Sequence, residues 1–262
     1  GSSDNTICII EDFFEELNIP GEIHKHEWKD FSYNRNLSLD LAYNKSDYLF
    51  IFDADDEIHG SFKLPTKFKY DSYMVIFGGG YSYKRTSLIN NRKKWKYFGV
   101  LHEVIIGQDE MTESDTITGD YHFISGRTGS RNMNVNKYHE DAVLLEDSFN
   151  TTTEEWLKNR YAFYCAQSYK DAKIFDKAIE WYKKTLELDC WNQEKFYACY
   201  MVGVLEGNQN NTINSISYCL LSLKYDNRRW EGVYLAIQQL LKTAQDNLAS
   251  ILISGIELHD VI

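Results

Sequence analysis

The spacing of hydrophobic and polar residues changes near the middle of the chain. Up to about Ile124, stretches with helical period (TICIIEDFFEEL and NRNLSLDLAYNK) alternate with stretches typical of extended structure (GEIHKHEW, DYLFIFDAD, YDSYMVIFGGG and WKYFGVLHEVII). Helices that alternate with strands predict an α/β sandwich with a mainly parallel sheet. In such sheets ligands bind beyond the carboxyl ends of the strands.

After about Ser148 the strand patterns stop and helical period takes over. Small residues recur at equivalent positions of successive helices, at Ala166, Gly203 and Ala236, where they allow paired helices to approach closely. The spacing is similar to that of tetratricopeptide repeats, whose period is about 34 residues, although the proline expected at the end of each unit is missing. An ordinary helical bundle is the alternative. Both interpretations predict an α/β domain over residues 1–148 and an all-helical domain over residues 149–262.

Composition and charge narrow the class of protein. Of the 262 residues, 43% are hydrophobic and 15% aromatic, which is ample for packed cores. The net charge of −11 argues against a nucleic acid or an anionic membrane as the main partner, because both need clustered Lys and Arg. No apolar run in the sequence has the length of a membrane span.

The cysteines indicate the compartment. There are 5 of them, an odd number, widely spaced and without a CxxC pair. Neither a disulfide framework nor a zinc ribbon is indicated by this pattern. A reducing compartment fits best, so we expect a cytoplasmic protein.

The segment YLFIFDADDEIHG, residues 48–60, follows an apolar run with carboxylates at Asp53, Asp55, Asp56 and Glu57. Clustered carboxylates repel one another and lose hydration when partly buried, unless a cation lies among them. In an extended backbone the side chains of Asp53 and Asp55 project the same way. The pattern therefore predicts a cation site at the end of a buried strand. An acidic turn that faces solvent is the alternative.

Five short motifs, each weak alone, occur in the order found in family 2 glycosyltransferases. GSSDNT resembles the family's D-x-G-S-x-D-x-T turn, FSYNRNLSLDLA its Arg-Asn helix and YLFIFDADDE its DXD strand. KRTSLINNRKKWKYFGVLHE is similar to its segment from Arg-Leu-Phe to His-Glu, and YHFISGR to its late histidine. The resemblance implies a GT-A fold, with a Rossmann-like mixed sheet, joined to tetratricopeptide-like helices.

The resemblance implies a role at the donor site for each matching residue. Asp4 would hydrogen-bond the nucleoside, Asp53 would meet the ribose or base, and Arg35 would be a fixed cation near the nucleotide. Asp55 would bind the metal, with Asp56 on the donor-sugar side. Carboxylate ligands suit Mn²⁺ or Mg²⁺. From the residues alone, a surface salt bridge is the alternative for Arg35, and capping of the first helix is the alternative for Asp4.

An inverting transferase needs a base that takes the acceptor's proton as the acceptor attacks the anomeric carbon. Glu103 in VLHE is the first candidate, because the family carries an acid there, and Asp56 is the second. By resemblance His122 would close the metal site, while Arg127 and Arg131 would clamp the diphosphate from a glycine-flanked loop. The alternatives are a structural role for His122 and an interdomain linker in place of the loop.

Together these expectations define a metal-dependent, inverting glycosyltransferase with a UDP-sugar as the default donor. A concave helical repeat favours a peptide or protein acceptor, and a glycan acceptor or a homodimer through the repeats is also consistent with it. Because the family begins with a strand and a helix upstream of the first motif, we interpret the chain as N-terminally incomplete. The alternative function is therefore a non-catalytic scaffold, built on a truncated transferase domain, whose helices recruit partners.

Overall fold

The computed structural model describes residues 4–78, 82–109, 111–126 and 129–257. The chain divides into two compact units, Gly1–Thr128 and Gly129–Ile262. The boundary expected from the sequence, between residues 148 and 149, falls inside helix α3 (Lys137–Thr151). This helix packs on α4 (Glu155–Asp171) and buries Leu145 completely. It therefore belongs to the helical unit, which begins earlier than the hydrophobic pattern predicts.

The first unit opens with two helices, α1 (Thr6–Glu16) and α2 (Phe31–Ala42), as the helical period predicts. The Asp30 carboxylate stabilises the start of α2 by accepting a hydrogen bond from the Tyr33 backbone N–H at 2.7 Å. Residues 21–28, which the pattern predicts as extended, form no regular strand.

In the described part of this unit 8 strands follow the helices. They are β1 (Tyr48–Phe50), β2 (Glu57–Gly60), β3 (Ser72–Phe77), β4 (Tyr83–Asn90), β5 (Trp95–Phe98), β6 (Val104–Gly107), β7 (Ser114–Thr116) and β8 (Tyr121–Ile124). One sheet has the order β1-β4-β3-β8-β2, with β7 also paired to β3, and β5 pairs with β6 in a second sheet.

The main sheet is mixed. Strand β3 runs parallel to β7 and β8, but the β1/β4, β3/β4 and β2/β8 pairs are antiparallel. The prediction of a mainly parallel sheet is therefore wrong, whereas the α/β class is confirmed. A parallel neighbour needs a long crossover, usually through a helix. Both helices of the described first unit precede β1, so its strands are joined without crossover helices.

The core of this unit is aromatic and aliphatic, with Val75, Phe77 and Phe123 excluded from solvent. Strand β1 lies at an edge of the main sheet and its residues are only half-buried, although the run YLFIF predicts a buried strand. Because β1 already ends at Phe50, Asp53, Asp55 and Asp56 lie in an irregular segment before β2, which begins at Glu57.

The described part of the second unit is helical, as predicted. After α3 and α4 come α5 (Phe175–Glu187), α6 (Asn192–Asn208), α7 (Thr212–Leu221), α8 (Glu231–Lys242) and α9 (Asp246–Glu257). Consecutive helices pack on each other along the unit. Across the ranges that the structure describes, none of the helices has both the length and the apolar character needed to cross a membrane.

Small residues let α6 and α7 approach closely, as the repeat pattern predicts. A Cβ atom on Gly203 would lie 2.3 Å from the Cys219 Sγ. The Ser215 hydroxyl donates a hydrogen bond to the Gly203 carbonyl at 2.7 Å. All the cysteines of the chain are free thiols, with only Cys8 exposed.

Candidate functional site

The clustered acids between β1 and β2 close into a turn. The Asp56 backbone N–H donates to the Asp53 carbonyl at 3.0 Å, and the Asp53 N–H donates to the Asp56 Oδ2 at 3.0 Å. This reciprocal pair replaces the extended backbone predicted for residues 53–55. The cause is local, because the Asp56 carboxylate captures a backbone N–H that a strand would have used. Because the backbone is not extended here, the alternating side-chain directions of a strand do not apply to Asp53 and Asp55.

Arg35 on α2 lies at the centre of the site. Its Nη2 donates to the Asp53 Oδ1 at 2.8 Å, and its Nε lies 2.5 Å from the Glu103 Oε1. The Nε–H does not point at that oxygen, so the second contact is an ion pair without a hydrogen bond. Burial lowers the pKa of Arg35, but the carboxylates of Asp53 and Glu103 outweigh burial and raise the pKa above its ordinary value. The guanidinium is therefore a permanent cation shared by two acids.

Asn36, the next residue, holds α2 against the second sheet. Its Nδ2 donates to the Tyr97 carbonyl at 2.9 Å, and its Oδ1 accepts a hydrogen bond from the Tyr97 N–H at 2.7 Å. The Arg35 guanidinium carbon lies 5.6 Å from the centroid of the Tyr97 ring. Sequence reasoning did not single out Asn36, although it stands beside Arg35 in YNRN. The Arg-Asn pair thus has one member at the site and one that anchors its helix.

Glu103 lies immediately before β6, at the end of a tight connection from β5. Within this connection Gly99 and His102 have left-handed φ angles of 99° and 54°. The conformation at Gly99 is one that glycine adopts without steric cost. The segment predicted as one extended run is therefore a hairpin, and its turn brings Glu103 to Arg35. The Glu103 side chain is 13% exposed.

Arg85 on β4 is a member of the site that sequence reasoning missed. Its Nη2 donates to the Asp56 Oδ2 at 2.6 Å and its Nη1 to the Asp53 Oδ2 at 3.4 Å. Its guanidinium carbon lies 4.0 Å from the centroid of the Phe77 ring. Arg85 stands near the start of the motif KRTSLINNRKKWKYFGVLHE, but the strand pairing that brings β4 to the acidic turn is not visible in the sequence.

These contacts form a network of charged side chains from four segments of the chain: Arg35, Arg85, Asp53, Asp56 and Glu103. Three carboxylates against two guanidinium groups leave it with a net charge of −1. The Asp56 side chain is 1% exposed and the Asp53 side chain 38%. Asp53 is therefore the acid of this network that a ligand reaches most readily.

The predicted metal ligands, Asp55 and His122, are not part of this network. His122 pairs with His59 across β8 and β2, and their rings stack with centroids 5.3 Å apart. Asp55 lies against Gly126, where a Cβ atom would come within 2.1 Å of the Asp55 carbonyl. Among the described residues no group of at least 3 His, Cys, Asp or Glu side chains is arranged to hold a metal ion. The pairing of Asp55 with His122 therefore stays a prediction.

The other residues predicted for the site are Asp4, Arg127 and Arg131. Asp4 accepts hydrogen bonds from the Thr6 hydroxyl at 2.6 Å and the Thr6 N–H at 3.1 Å, which lower the pKa of Asp4. Its observed role is to stabilise the start of α1. Arg127 lies outside the described residues. Arg131 belongs to the second unit, where it forms an ion pair with Asp141.

A cleft of about 330 Å³ opens beside Arg35, where α2 faces the end of β1. Its lining is mostly apolar, and Ser38 contributes a hydroxyl. The Phe52 ring at the cleft is 53% exposed. Small-molecule pockets range from about 300 to 1,000 Å³, so this cleft lies at the small end of that range. A fixed cation, an accessible carboxylate and an apolar cleft thus lie together.

Comparison with models of known protein families gives no match for this chain, and no curated protein matches it. The function must therefore be argued from the chemistry of the site.

Proposed function

We propose that this chain is a metal-dependent, inverting glycosyltransferase that takes a sugar from a nucleotide-sugar, with a UDP-sugar as the default donor. The observation that carries the proposal is the contact of Arg35 with both Asp53 and Glu103. These residues come from three separate motifs, the Arg-Asn helix, the DXD segment and the His-Glu segment. Their meeting at one place supports the interpretation of the motifs as parts of one donor site.

In this proposal the cleft beside Arg35 receives the nucleobase and Asp53 binds the ribose hydroxyls. Guanidinium groups hold both oxygens of the Asp53 carboxylate, Arg35 at 2.8 Å and Arg85 at 3.4 Å. A carboxylate held in this way loses little freedom when it accepts hydrogen bonds from a ligand. The exposed Phe52 ring offers a surface on which a base can stack.

Asp55 is the residue we assign to the metal, with His122 as the second ligand. Mg²⁺ is usually held by about one or two carboxylates while substrate phosphates and water supply the other ligands, and Mn²⁺ accepts the same oxygen donors. When bound, such an ion neutralises the charge that develops on the departing diphosphate.

Glu103 is the base in this proposal. Its side chain is 13% exposed, whereas that of Asp56 is 1% exposed and ion-paired with Arg85, so an acceptor hydroxyl or thiol reaches Glu103 more easily. A base must accept a proton from the acceptor, and the contact with the Arg35 guanidinium holds the Glu103 carboxylate at the site.

We further propose that the mixed sheet is of the GT-A type and that the helical unit consists of tetratricopeptide-like repeats. Consecutive pairing of α4 to α9 and the close contact at Gly203 support the second assignment. Such repeats bind extended chains, so a peptide, protein or glycan is the proposed acceptor.

Calorimetric titration of UDP in the presence of Mn²⁺ tests the donor site. We expect binding that disappears with EDTA and in Asp55→Ala. Asp40→Ala is the matched control, because Asp40 is an exposed acid on α2 whose side chain takes no part in the network; this variant should bind like the wild type. A folded wild-type chain that binds no UDP would refute the nucleotide site and favour the scaffold function.

A further inference from the structure

Besides its contact with Asp53, Arg85 makes contacts with Asp56 and Phe77 that the proposed roles do not use. It stands opposite Val75 in the β3/β4 pair, so its side chain starts from the middle of the main sheet. Its guanidinium lies over the Phe77 ring and reaches two acids of the turn between β1 and β2. A planar guanidinium stacked on a ring and bound to two carboxylates is held in one orientation.

Asp56, the first partner of Arg85, is almost completely buried. One oxygen, Oδ2, accepts hydrogen bonds from the Arg85 Nη2 and from the Asp53 N–H. The other, Oδ1, is buried without a hydrogen-bond partner among the described residues. A buried carboxylate that is only half satisfied is costly, so its position depends on the one strong cationic contact that the structure gives it.

We propose that Arg85 is a positioning residue for nucleotide binding, acting on Asp53 through Asp56. By holding the Asp56 carboxylate, Arg85 fixes the oxygen that accepts the Asp53 N–H, and this hydrogen bond sets the backbone from which the Asp53 side chain reaches Arg35. The inference rests on the proposed function, because it concerns the same donor site. It assigns Arg85 no contact with the substrate.

The test compares the UDP dissociation constant, measured with Mn²⁺, with the melting temperature for each variant. Arg85→Gln removes the cation, and we expect UDP binding to weaken about tenfold or more, as for other residues that orient a ligand-binding group. Arg85→Lys keeps the charge but replaces the planar fork with a single point donor, so it should restore part of the affinity.

Lys93→Gln is the matched control. Lys93 forms a part-buried ion pair with Asp71 at 2.9 Å, at the opposite end of the same β3/β4 hairpin. Its loss should lower the melting temperature while the UDP dissociation constant stays within about twofold of the wild-type value. A purely structural role for Arg85 predicts the same behaviour for Arg85→Gln, and that result would overturn the proposal.

A double variant tests whether Arg85 acts on Asp53 through Asp56. If Arg85 acts through Asp56, the double variant Arg85→Gln/Asp56→Asn should bind UDP no more weakly than the weaker single variant. Additive losses would overturn the proposed route. Should Arg85→Gln not fold, Arg85→Lys decides, because wild-type affinity in that variant contradicts the proposal.

Hydrogen exchange of residues 53–57 separates this inference from the proposed function. Faster exchange in Arg85→Gln, together with UDP binding by the wild type and weaker binding by the variant, supports both. Failure of the folded wild type to bind UDP refutes the donor site, and the positioning role falls with it. Binding by the wild type with unchanged exchange and affinity in Arg85→Gln refutes the positioning role alone.

Discussion

Gly203→Ala tests the close packing of α6 on α7, on which the interpretation of the second unit depends. A Cβ atom at this position would lie 2.3 Å from the Cys219 Sγ and 3.1 Å from the Ser215 carbonyl oxygen. Neither neighbour is the flexible end of a long side chain, so the two helices must separate or Cys219 must change its rotamer. The Ser215 hydrogen bond to the Gly203 carbonyl would be strained by the same movement.

Three terms set the expected change in the free energy of unfolding. Overpacking of a tight core costs about 1 to 3 kcal/mol. Alanine in a helix interior is more favourable than glycine by about 1 kcal/mol. A weakened Ser215 hydrogen bond adds a loss of up to about 1 kcal/mol. Together these terms give a loss of between about 0 and 3 kcal/mol in the free energy of unfolding of the helical unit, with a midpoint of about 1.5 kcal/mol.

Urea unfolding followed by far-UV circular dichroism measures this loss. Gly255→Ala is the matched control, because Gly255 lies in α9 with nothing within 4 Å of a Cβ atom. It should gain stability, by up to about 1 kcal/mol. Cys219→Ala removes the sulfur that the new methyl group meets, so Gly203→Ala should cost less in that background than in the wild type. Gly203→Ala that stabilises the chain as Gly255→Ala does would refute the close approach of these helices.

Three further predictions concern the site and the pH dependence of folding. Glu103→Gln should lower sugar transfer by about 10² to 10⁴ without weakening UDP binding, and full activity in this variant would exclude Glu103 as the base. Gly126→Ala should weaken Mn²⁺-dependent UDP binding about tenfold, because its Cβ would meet the carbonyl of Asp55 at 2.1 Å, whereas Gly129→Ala, with nothing within 4 Å, should not. Burial raises the pKa of Glu206, but hydrogen bonds from a lysine and two asparagines outweigh burial and lower the pKa below its ordinary value of 4.5. A lowered pKa stabilises the fold above that value and the contribution is lost as pH falls. Lowering the pH from neutral to about 4 should thus reduce the free energy of unfolding of the wild type more than that of Glu206→Gln, as measured by urea unfolding. Equal losses in the two proteins would contradict the lowered pKa of Glu206.

Hydrophobic period predicts the helices of this chain well, because each amphipathic helix carries its own signal. It gives α1, α2 and the helical second unit, but it misses the start of that unit at α3. Strands β2 and β7 lack the alternation of apolar and polar residues that predicts a strand, since most of their residues are exposed. The antiparallel pairing of the sheet depends on contacts between distant segments, which single-chain periodicity does not encode.

The residues of the candidate site likewise fall into some that the sequence predicts and some that depend on contacts between distant segments. Motif order predicts Arg35, Asp53 and Glu103, and the structure brings these three residues into contact. Arg85 could not be predicted, because its role depends on which strand passes the acidic turn. The extended backbone expected at the acids is wrong for a local reason, since the Asp56 carboxylate accepts the Asp53 N–H.

Ion pairs with arginine side chains explain how the acids that follow β1 can lie close together. The sequence predicts one cation among the carboxylates, and the fold supplies two guanidinium groups. Arg85 neutralises the buried Asp56, while Arg35 shares the more exposed Asp53 with Arg85. Glu57 needs no such partner, because it faces solvent on β2. The turn therefore has its own ionic partners before any ligand arrives, and in the proposed function a divalent ion and a diphosphate would bind against side chains that are already oriented.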